Sequence, residues 1–357
     1  MIKLHIDNRE IEVSQGTSLI EAARENGIDI PSLCYKKDLP HYTSCMLCMV
    51  KNAKTGQFIP SCSAVAEQGM IIEASGKDVI DLRSKAISLL LMEHRAECEA
   101  PCKLVCPAGL NIPLMHRYVM KGDMESARKL VYKEMDNPET SCETCPKYCE
   151  KACRRKMIDK PIAISNIIKY LTGSLKQFEK VAFINHEPKD QEKTTSRDKK
   201  RFNSTIGRMN ESEKREWIKE CPDNTQRFSE PTSIEECIFE AENCMHCDCR
   251  AMENCNLRQF AEEFGTKNPK RLRSGPPIEK KINVNNGLIF ENAKCIKCGL
   301  CVRVSVDNIA DPSLCFTGRG FMSLISEPIT NTFNSILKGG IDKAIDICPT
   351  GALARKD

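Results

Sequence analysis

Cysteine is the residue that most constrains this chain, which contains 22 of them. Most stand in four groups, and the gaps inside each group are short. A chain of 357 residues can bury a core without disulfides, so the cysteines are not needed as a covalent scaffold. Crowded thiols in a reducing compartment bind metals as thiolates. The sequence therefore predicts a chain organised around several metal sites.

The remaining composition narrows the class of protein. Lys and Arg number 53 against 49 Asp and Glu, a net charge of +4. The basic runs at 197–201 and 267–273 fit a solvated surface better than a nucleic-acid interface. Met1 leads directly into an alternating pattern rather than a signal peptide, and no apolar run has the length of a membrane span. We expect a cytoplasmic protein that binds no nucleic acid.

The start of the chain predicts strands followed by helices. Residues 2–13 have the pattern of a β-hairpin around an Asn-Arg turn. Ser18 and Glu21 have the spacing of a capping box and Gly27 is a stop signal, so a short helix follows. A second helix is expected over 77–93. Its apolar face would hold Val79, Leu82, Ala86, Leu89 and Leu90.

Further along, other patterns outline more segments. Residues 112–135 predict two helices broken at Gly122-Asp123, and 185–216 are charged without apolar periodicity, as in a linker. Another capped helix begins at Ser233. The stretch "GLIFE" predicts a strand and "SILKGGIDKAIDIC" a helix. The predicted fold class is α+β multidomain, with segments 1–95, 96–180, 181–232, 233–275 and 276–357. Of these, 181–232 is the charged linker and 233–275 is a helical cysteine-rich segment.

The first cysteine group has one tight pair and two distant partners. Each iron of a 2Fe-2S cluster needs two thiolates, and this spacing lets a loop wrap around such a cluster. Zinc and unliganded buried thiols are the alternatives. The predicted ligands are Cys34, Cys45, Cys48 and Cys62.

Around these cysteines, "IPSLCYKKDLPHYTSCMLCMVKNAKTGQFIPSCSAVAEQGMII" resembles the large iron-sulfur subunit of respiratory complex I. Relatives of that subunit occur in hydrogenases and formate dehydrogenases. The resemblance covers about the first 95 residues. It implies a β-grasp domain with one 2Fe-2S cluster.

The second group supplies seven cysteines, one fewer than two 4Fe-4S cubanes need. Over roughly 98–172, "CPAGLNIP" and "CEKACRR" resemble the N-terminal domain of the glutamate synthase small subunit, also found in dihydropyrimidine dehydrogenase. The resemblance implies a helical domain with two cubanes. In that family a Gln or Glu oxygen completes one cubane, but Ile168 stands at that place. The predicted ligands are His94, Cys98, Cys102, Cys106, Cys142, Cys145, Cys149 and Cys153.

Two of these predicted ligands are replacements for groups that the family has and this chain lacks. His94 stands roughly where the family has one more cysteine, although a single histidine on a helix is more often a core or surface residue. Cys142 is an extra thiol beside the motif, and it is the candidate to replace the missing oxygen ligand.

In relatives of this helical domain, the chain continues into a dinucleotide-binding domain with a Gly-rich turn. Here "KVAFINHEPKDQ" begins like the strand of such a domain, but no G-x-G-x-x-G follows. We therefore expect no flavin or NAD(P) on this chain and no independent catalytic site.

The third group places four thiols within "NCMHCDCRAMENCNLR". Such crowding indicates a metal, because free thiols would oxidise or form wrong bridges. Zinc and a 4Fe-4S cluster are both chemically reasonable, and the neighbouring groups favour the cluster. His246 is interpreted as a bystander. The predicted ligands are Cys244, Cys247, Cys249 and Cys255.

The fourth group begins like a bacterial two-cluster ferredoxin, but Ser305 replaces the fourth cysteine of the run. In such ferredoxins that fourth cysteine binds the other cluster. The second run keeps only Cys348, the one ligand that crosses back to the first cluster. The second cluster of such a ferredoxin has therefore lost its ligands, whereas the first cluster keeps all four of its ligands. Its predicted ligands are Cys295, Cys298, Cys301 and Cys348.

The region from about 287 to 355, including "FTGRGF", resembles the ferredoxin-like segment of the complex I and hydrogenase families. Three cysteines have no partners at ligand spacing and are interpreted as ordinary buried residues. These are Cys221, Cys237 and Cys315.

Together these patterns predict an electron-transfer subunit with one 2Fe-2S cluster and three or four 4Fe-4S clusters. The resemblances imply a flavoprotein partner that exchanges electrons with NAD(P)H, other redox subunits, and ferredoxin as a further candidate partner. A redox or iron sensor is the alternative, and salt-dependent DNA binding would favour it. A zinc-rich scaffold is a third interpretation, and it predicts a colourless protein.

Overall fold

The computed structural model describes residues 1–40, 42–96, 98–173, 209, 211–220, 226–251, 254–266, 276, 278–283, 287–306, 314–327 and 338–355. The chain forms two compact units. The first unit comprises Met1–Arg95 and Glu253–Asp357, and the second comprises Ala96–Met252. The first unit thus contains both ends of the chain. Residues of the predicted segment 233–275 contribute to both units.

Five strands near the N-terminus form one sheet in the order β2-β1-β5-β3-β4. Strands β1 and β5 are parallel, and the other neighbours are antiparallel. The predicted hairpin is confirmed, but its turn residues are Asp7 and Asn8, both at positive φ. The mirror-image turns that suit a hairpin require this conformation. The strands are β1 Ile2–Ile6, β2 Arg9–Val13, β3 Met49–Asn52, β4 Phe58–Pro60 and β5 Ile71–Glu73.

Helix α1 (Leu19–Glu25) packs on this sheet through its apolar face. It begins as predicted at Ser18, whose Oγ accepts the N–H of Glu21 at 3.4 Å. The reciprocal half of the capping box is absent in this described segment, because the Glu21 carboxylate accepts the hydroxyl of Tyr35 at 2.8 Å. The chain leaves the helix at Gly27, where φ is +71°.

Helix α2 spans Lys77–Glu93, the range predicted. Its predicted face is wrong in part, because Leu89 is 64% exposed while Arg83 is buried. The Arg83 guanidinium donates to the carbonyl of Met49 at 3.1 Å. A polar side chain that satisfies a strand carbonyl thus lies on the buried face, which apolar periodicity does not reveal. The buried residues are Val79, Arg83, Ala86, Ile87 and Leu91.

The second unit is helical in its described residues. The predicted break is confirmed between α4 and α5, where Gly122 has φ +72° and Asp123 caps the next helix. The predicted helix start at Ser233 is also confirmed, since its Oγ accepts the N–H of Glu236 at 3.2 Å. The helices are α3 Pro101–Val105, α4 Ile112–Met120, α5 Met124–Glu134, α6 Pro138–Thr144, α7 Tyr148–Lys151, α8 Ile164–Gly173, α9 Glu211–Glu220 and α10 Ile234–Glu242.

Helix α9 falls inside the segment predicted as a charged linker. It carries one buried aromatic residue, Trp217, which is 3% exposed. Charged residues dominate its sequence, so periodicity did not reveal it. The rest of the predicted linker up to residue 208 lies outside the described residues.

The C-terminal part of the first unit adds a sheet in the order β10-β7-β6 and a hairpin of β8 and β9. The predicted strand "GLIFE" and the helix before Cys348 are both present. No helix in the described residues is long and apolar enough to cross a membrane. The elements are α11 Asn256–Glu263, β6 Lys280–Asn283, β7 Leu288–Glu291, α12 Leu300–Val306, β8 Cys315–Thr317, β9 Leu324–Ser326, α13 Lys338–Ile347 and β10 Leu353–Arg355.

Candidate metal centres

Three cysteines of the first group lie in the loop between α1 and β3, and Cys62 lies two residues after the end of β4. All four thiols are buried, at 0–2% exposure. Backbone N–H groups point at the sulfurs, since Leu33 donates to the Cys45 Sγ at 3.3 Å. Cys45 in turn donates its own N–H to the Cys34 Sγ at 3.5 Å. Backbone donors of this kind favour the thiolate form that a metal requires.

The four thiols of this loop come together as two pairs. A hydrogen bond from Cys45 lowers the pKa of Cys34 to about 5, and the same bond raises the pKa of Cys45. A hydrogen bond from Cys48 lowers the pKa of Cys62 to about 7, and it raises the pKa of Cys48. Two pairs of thiols match the two irons of a 2Fe-2S cluster, each of which takes two sulfurs.

In the second unit, one set of thiols gathers around α6 and α7. Burial raises the pKa of Cys142 to about 11, and the nearby Cys106 and Cys145 raise it further. Burial raises the pKa of Cys149 to about 12, with Glu150, Cys106 and Cys142 adding to the effect. Such effects act between neighbouring charges, and Cys106, Cys142 and Cys149 also pack against one helical core. The set is Cys106, Cys142, Cys145 and Cys149.

A second set in the same unit joins residues from distant parts of the sequence. Burial raises the pKa of Cys102 well above its usual value, and Cys244, Cys153, Cys247 and Cys149 raise it further. Burial also raises the pKa of Cys244, with contributions from Cys247 and Cys153. Cys102 and Cys244 both pack against the core that contains Cys153. The set is Cys102, Cys153, Cys244 and Cys247.

This second set was not predicted from the sequence. The sequence groups Cys244 and Cys247 with Cys249 and Cys255 as a site of their own, and that grouping stays a prediction. The shortage of one ligand in the second group was the sequence signal that another cysteine, such as Cys244 or Cys247, joins it. Sequence spacing cannot show which later cysteine supplies it.

Buried charges hold the end of α10 against the Cys153 turn. Arg155 pairs with Asp159 at 2.5 Å and donates to the carbonyl of Asn243 at 3.5 Å, one residue before Cys244. Arg227 links Asp159 at 2.9 Å to Glu240 of α10 at 2.7 Å. The side chains of Arg155, Arg227 and Glu240 are all 0% exposed. We call Arg155, Asp159, Arg227 and Glu240 the buried charge chain.

A second ion pair clamps the segment 244–249 to helix α4. Arg117 donates two hydrogen bonds to the Asp248 carboxylate, at 2.8 and 2.9 Å. The Nε2 of His246 lies 3.1 Å from the Met120 Sδ on the same helix. Further along, the N–H of Cys249 donates to the carbonyl of Cys98 at 2.8 Å. The interpretation of His246 as a bystander stays a prediction.

Two predicted ligands of the first unit are buried at helix ends. His94 follows α2 and is 4% exposed, and Cys255 precedes α11 and is 7% exposed. The N–H of Asn256, next to Cys255, donates to the carbonyl of Pro349 at 3.1 Å.

The fourth group lines one cavity in the first unit. Its four thiols meet there with the apolar side chains of Phe290, Ile296, Leu300 and Ile325. Burial raises the pKa of Cys301, and the other three thiols raise it further. The Cys348 Sγ also lies 3.7 Å from the hydroxyl of Thr350, which donates to the carbonyl of Lys294 at 2.9 Å. The residues around the cavity are Cys295, Cys298, Cys301 and Cys348.

The donor sets fit iron-sulfur clusters. They consist of sulfur, they are buried or partly buried, and in the terminal site they surround a cavity with apolar walls. In the described residues no three His, Cys, Asp or Glu side chains are grouped closely enough for a single ion.

Two cysteines expected to be ordinary core residues are described. Cys237 is 0% exposed in the helical core, as predicted. Cys315 is only half-buried at the start of β8. Cys221 lies outside the described residues.

Three regions of the chain match known families. Residues 1–76 match a 2Fe-2S iron-sulfur cluster binding domain. Residues 93–180 match domain II of dihydropyrimidine dehydrogenase, described with a 4Fe-4S cluster. Residues 288–354 match the ferredoxin-like domain of NADH-quinone oxidoreductase subunit 3. The predicted resemblances are confirmed in all three regions.

Individual relatives cover only parts of the chain. The G 2 subunit of NADH-quinone oxidoreductase from Rhizobium meliloti is 30% identical over 165 residues, which are 42% of this chain and 19% of that protein. The gamma subunit of the NAD-reducing hydrogenase HoxS from Cupriavidus necator is 26% identical over 167 residues, 44% of this chain and 69% of that protein. The chain thus spans about a fifth of the first relative.

A solved structure resembles the chain over nearly all of its length. This is a chain in the crystal structure of an NAD+-reducing NiFe hydrogenase in the H2-reduced state. The match covers 99% of this chain and 87% of the other, with a TM-score of 0.50 and 16% identity. At that identity the likeness is one of fold, and it agrees with the mixed α and β architecture described above.

Proposed function

We propose that this chain is an iron-sulfur electron-transfer subunit of an NAD(P)H-linked oxidoreductase complex. The terminal cavity carries the proposal, because four cysteines from two distant segments line one apolar space. Iron-sulfur clusters bound at such sites accept and release single electrons. The protein would hold the clusters in fixed positions, exclude water from them and tune their potentials through backbone donors and burial.

The ligand sets form the finer part of the proposal. The first loop would hold one 2Fe-2S cluster in a β-grasp domain, and the terminal cavity one cubane in a bacterial-ferredoxin-like domain. The second unit would hold two cubanes. One uses Cys106, Cys142, Cys145 and Cys149, and the other uses Cys102, Cys153, Cys244 and Cys247. Four further predicted ligands have no cluster assigned to them, and these are His94, Cys98, Cys249 and Cys255.

The partners are inferred from relatives that belong to NADH-quinone oxidoreductase and to an NAD-reducing hydrogenase. We propose a flavoprotein subunit that handles NAD(P)H, with a second redox subunit or ferredoxin at the other end of the electron path. None of the 21 described cysteines forms a disulfide, which suits the reducing cytoplasm.

Anaerobic purification followed by counts of iron, sulfide and zinc tests this function. We expect about 14 irons for one 2Fe-2S cluster with three cubanes and about 18 with four, from the ligand arithmetic. Reduced-state EPR should show both cluster types. A pale protein that contains zinc in place of iron would refute the proposal.

A second experiment tests the need for a partner subunit. We expect no NAD(P)H oxidation with artificial acceptors from the purified chain by itself, so such activity would refute the proposed dependence on a flavoprotein partner.

A pair of variants tests the ligand sets. Cys244→Ser should remove about four irons and one cubane EPR signal, because a cubane needs all four ligands. Cys237→Ser is the matched control, since Cys237 is buried in the same helical core but belongs to neither set. Equal iron contents of the Cys244→Ser variant and the unmodified chain would refute the assignment of Cys244.

A further inference from the structure

Arg303 joins two candidate metal centres in the first unit. It lies on α12, two residues after Cys301, and is 2% exposed. Its Nη2 donates to the carbonyl of Cys34 at 2.6 Å and to the carbonyl of Cys298 at 3.1 Å. One nitrogen atom therefore bridges a ligand residue of the first loop and a ligand residue of the terminal cavity.

The rest of the guanidinium is held by the same two loops. Its Nε donates to the carbonyl of Gly299 at 3.2 Å, and its Nη1 donates to the carbonyl of Pro40. The group also lies over the ring of Tyr42, 5.0 Å from the centroid. Within the described part of the chain, these acceptors are all backbone carbonyls and no acidic side chain pairs with Arg303. The acceptors that the described residues supply to this buried positive charge are thus neutral carbonyl oxygens.

Two neighbouring contacts keep the loops close. The hydroxyl of Ser44 lies within 3.5 Å of the Cys298 carbonyl that also accepts from Arg303. Gly299 has φ +73°, and a Cβ there would lie 3.2 Å from the ring of Phe316 and 3.5 Å from that of Tyr42. A side chain at this position would push these rings away, so glycine permits the close approach of the first loop.

A buried cation beside a metal centre changes the energy of an added electron. Thiolate-ligated clusters are anionic, and reduction makes them more negative. A fixed positive charge in a region of low dielectric stabilises the reduced form, which raises the reduction potential. Arginine suits this position better than lysine, because its planar fork reaches several carbonyls at once.

We propose that Arg303 is a positioning residue that couples the 2Fe-2S site of the first loop to the terminal cubane site. Its hydrogen bonds link the backbone of the two ligand loops, and its charge raises the reduction potential of both sites. One electron would leave one site and arrive at the other, and no bond would form or break. This inference rests on the proposed function, since it requires clusters at both sites.

The test compares three variants of the full chain purified without air. Arg303→Met removes the charge and the donors, and Arg303→Lys keeps the charge but loses the fork. Arg319→Met is the control, because Arg319 is exposed in the same unit. Iron content and EPR line shape first establish that both clusters are present. Redox titrations followed by EPR then give the two potentials, and freeze-quench EPR after rapid reduction gives the rate of electron transfer between the sites.

We expect Arg303→Met to lower the equilibrium constant for reduction of both sites about tenfold, which is 59 mV for a one-electron centre. The rate between the sites should fall at least tenfold. Arg303→Lys should change each potential by no more than about a third of that shift, but it should still slow electron transfer between the sites. Arg319→Met should change neither the potentials nor the transfer rate.

Unchanged potentials and rates in an Arg303→Met protein with both clusters would overturn the inference and leave the proposed function intact. Absence of clusters from the unmodified chain would instead overturn the proposed function. If Arg303→Met fails to retain the clusters, Arg303→Lys decides the matter. A transfer rate in Arg303→Lys equal to that of the unmodified chain would overturn the role of the fork.

Discussion

The first loop and the helical unit assemble their thiols in different ways. In the loop, the cysteines stand close in sequence, and backbone N–H groups of the same segment point at their sulfurs. In the helical unit, Cys102 and Cys244 come from opposite ends of the unit. They meet only because helices and buried charges bring these ends together.

This difference determines which interactions stabilise the first loop and which stabilise the sites of the helical unit. The loop site depends on the apolar core of the sheet beneath it and on the buried guanidinium of Arg303. The helical site needs the buried charge chain to hold α10 next to the Cys153 turn. We therefore expect the two regions to respond to different classes of substitution.

Removal of one buried charge should have the largest effect. Glu240→Ala leaves Arg227 without its fully buried partner, which should cost about 3–5 kcal/mol. The cubanes of the helical unit should be lost while the 2Fe-2S EPR signal remains. EPR and iron content after anaerobic purification measure this outcome. Glu125→Ala breaks an exposed pair with Lys129 and serves as the control. Retention of every cubane in Glu240→Ala would contradict the comparison.

The reverse experiment targets the sheet. Leu4 is 0% exposed in β1, and Leu4→Ala should destabilise the sheet by about 3 kcal/mol through the cavity that it leaves. On heating, the 2Fe-2S signal should disappear at a lower temperature than in the unmodified chain, and the cubane signals of the helical unit should not shift. Leu89→Ala is the control, because Leu89 is exposed on α2. An equal shift of both sets of signals would show that the regions are not independent.

A smaller effect should follow from loosening the clamp on segment 244–249. Arg117→Ala leaves the Asp248 carboxylate, which is 5% exposed, without its two charged hydrogen bonds, at a cost of about 2 kcal/mol. We expect faster loss of iron to a chelator from one cubane of the helical unit. Arg117→Lys should recover part of the retention, since it keeps the charge but not the fork. Equal rates of iron release from Arg117→Ala and the unmodified chain would exclude the clamp.

The smallest expected effects concern the two serine residues that cap the N-termini of α1 and α10. Ser18→Ala and Ser233→Ala each remove one cap, and each should cost about 1 kcal/mol. Ser233 begins the helix that leads to Cys244, so only its substitution should speed iron release from the helical unit. Ser18→Ala should affect only the loop site. Chelator kinetics followed by visible absorbance and EPR separate the two cases, and identical profiles would argue against the assignment of each cap to one region.

Much of the fold could be predicted because it depends on local signals. The caps at Ser18 and Ser233, the break at Gly122 and the range of α2 all follow from short stretches of sequence. The buried face of α2 could not be predicted, because the burial of Arg83 depends on the Met49 carbonyl that accepts its hydrogen bond. Helix α9 escaped prediction because one tryptophan does not make a periodic pattern.

The candidate sites show the same limit. Cys34 and Cys45 could be grouped from spacing, and so could Cys298 and Cys348 with the help of ferredoxin connectivity. The proximity of Cys244 to Cys102 could not be predicted, since it depends on tertiary contacts of Arg155 and Arg227. Arg303 was also missed, because its partners are backbone carbonyls of a distant loop.

The buried charge chain also bears on the order in which the protein matures on the ribosome. All strands of the N-terminal sheet lie within residues 2–73, so that sheet can close early in synthesis. Glu240 and Arg227 emerge much later, and until then the thiols around Cys153 lack their neighbours from the end of α10. The N-terminal sheet can therefore form before the helical sites have all of their thiols.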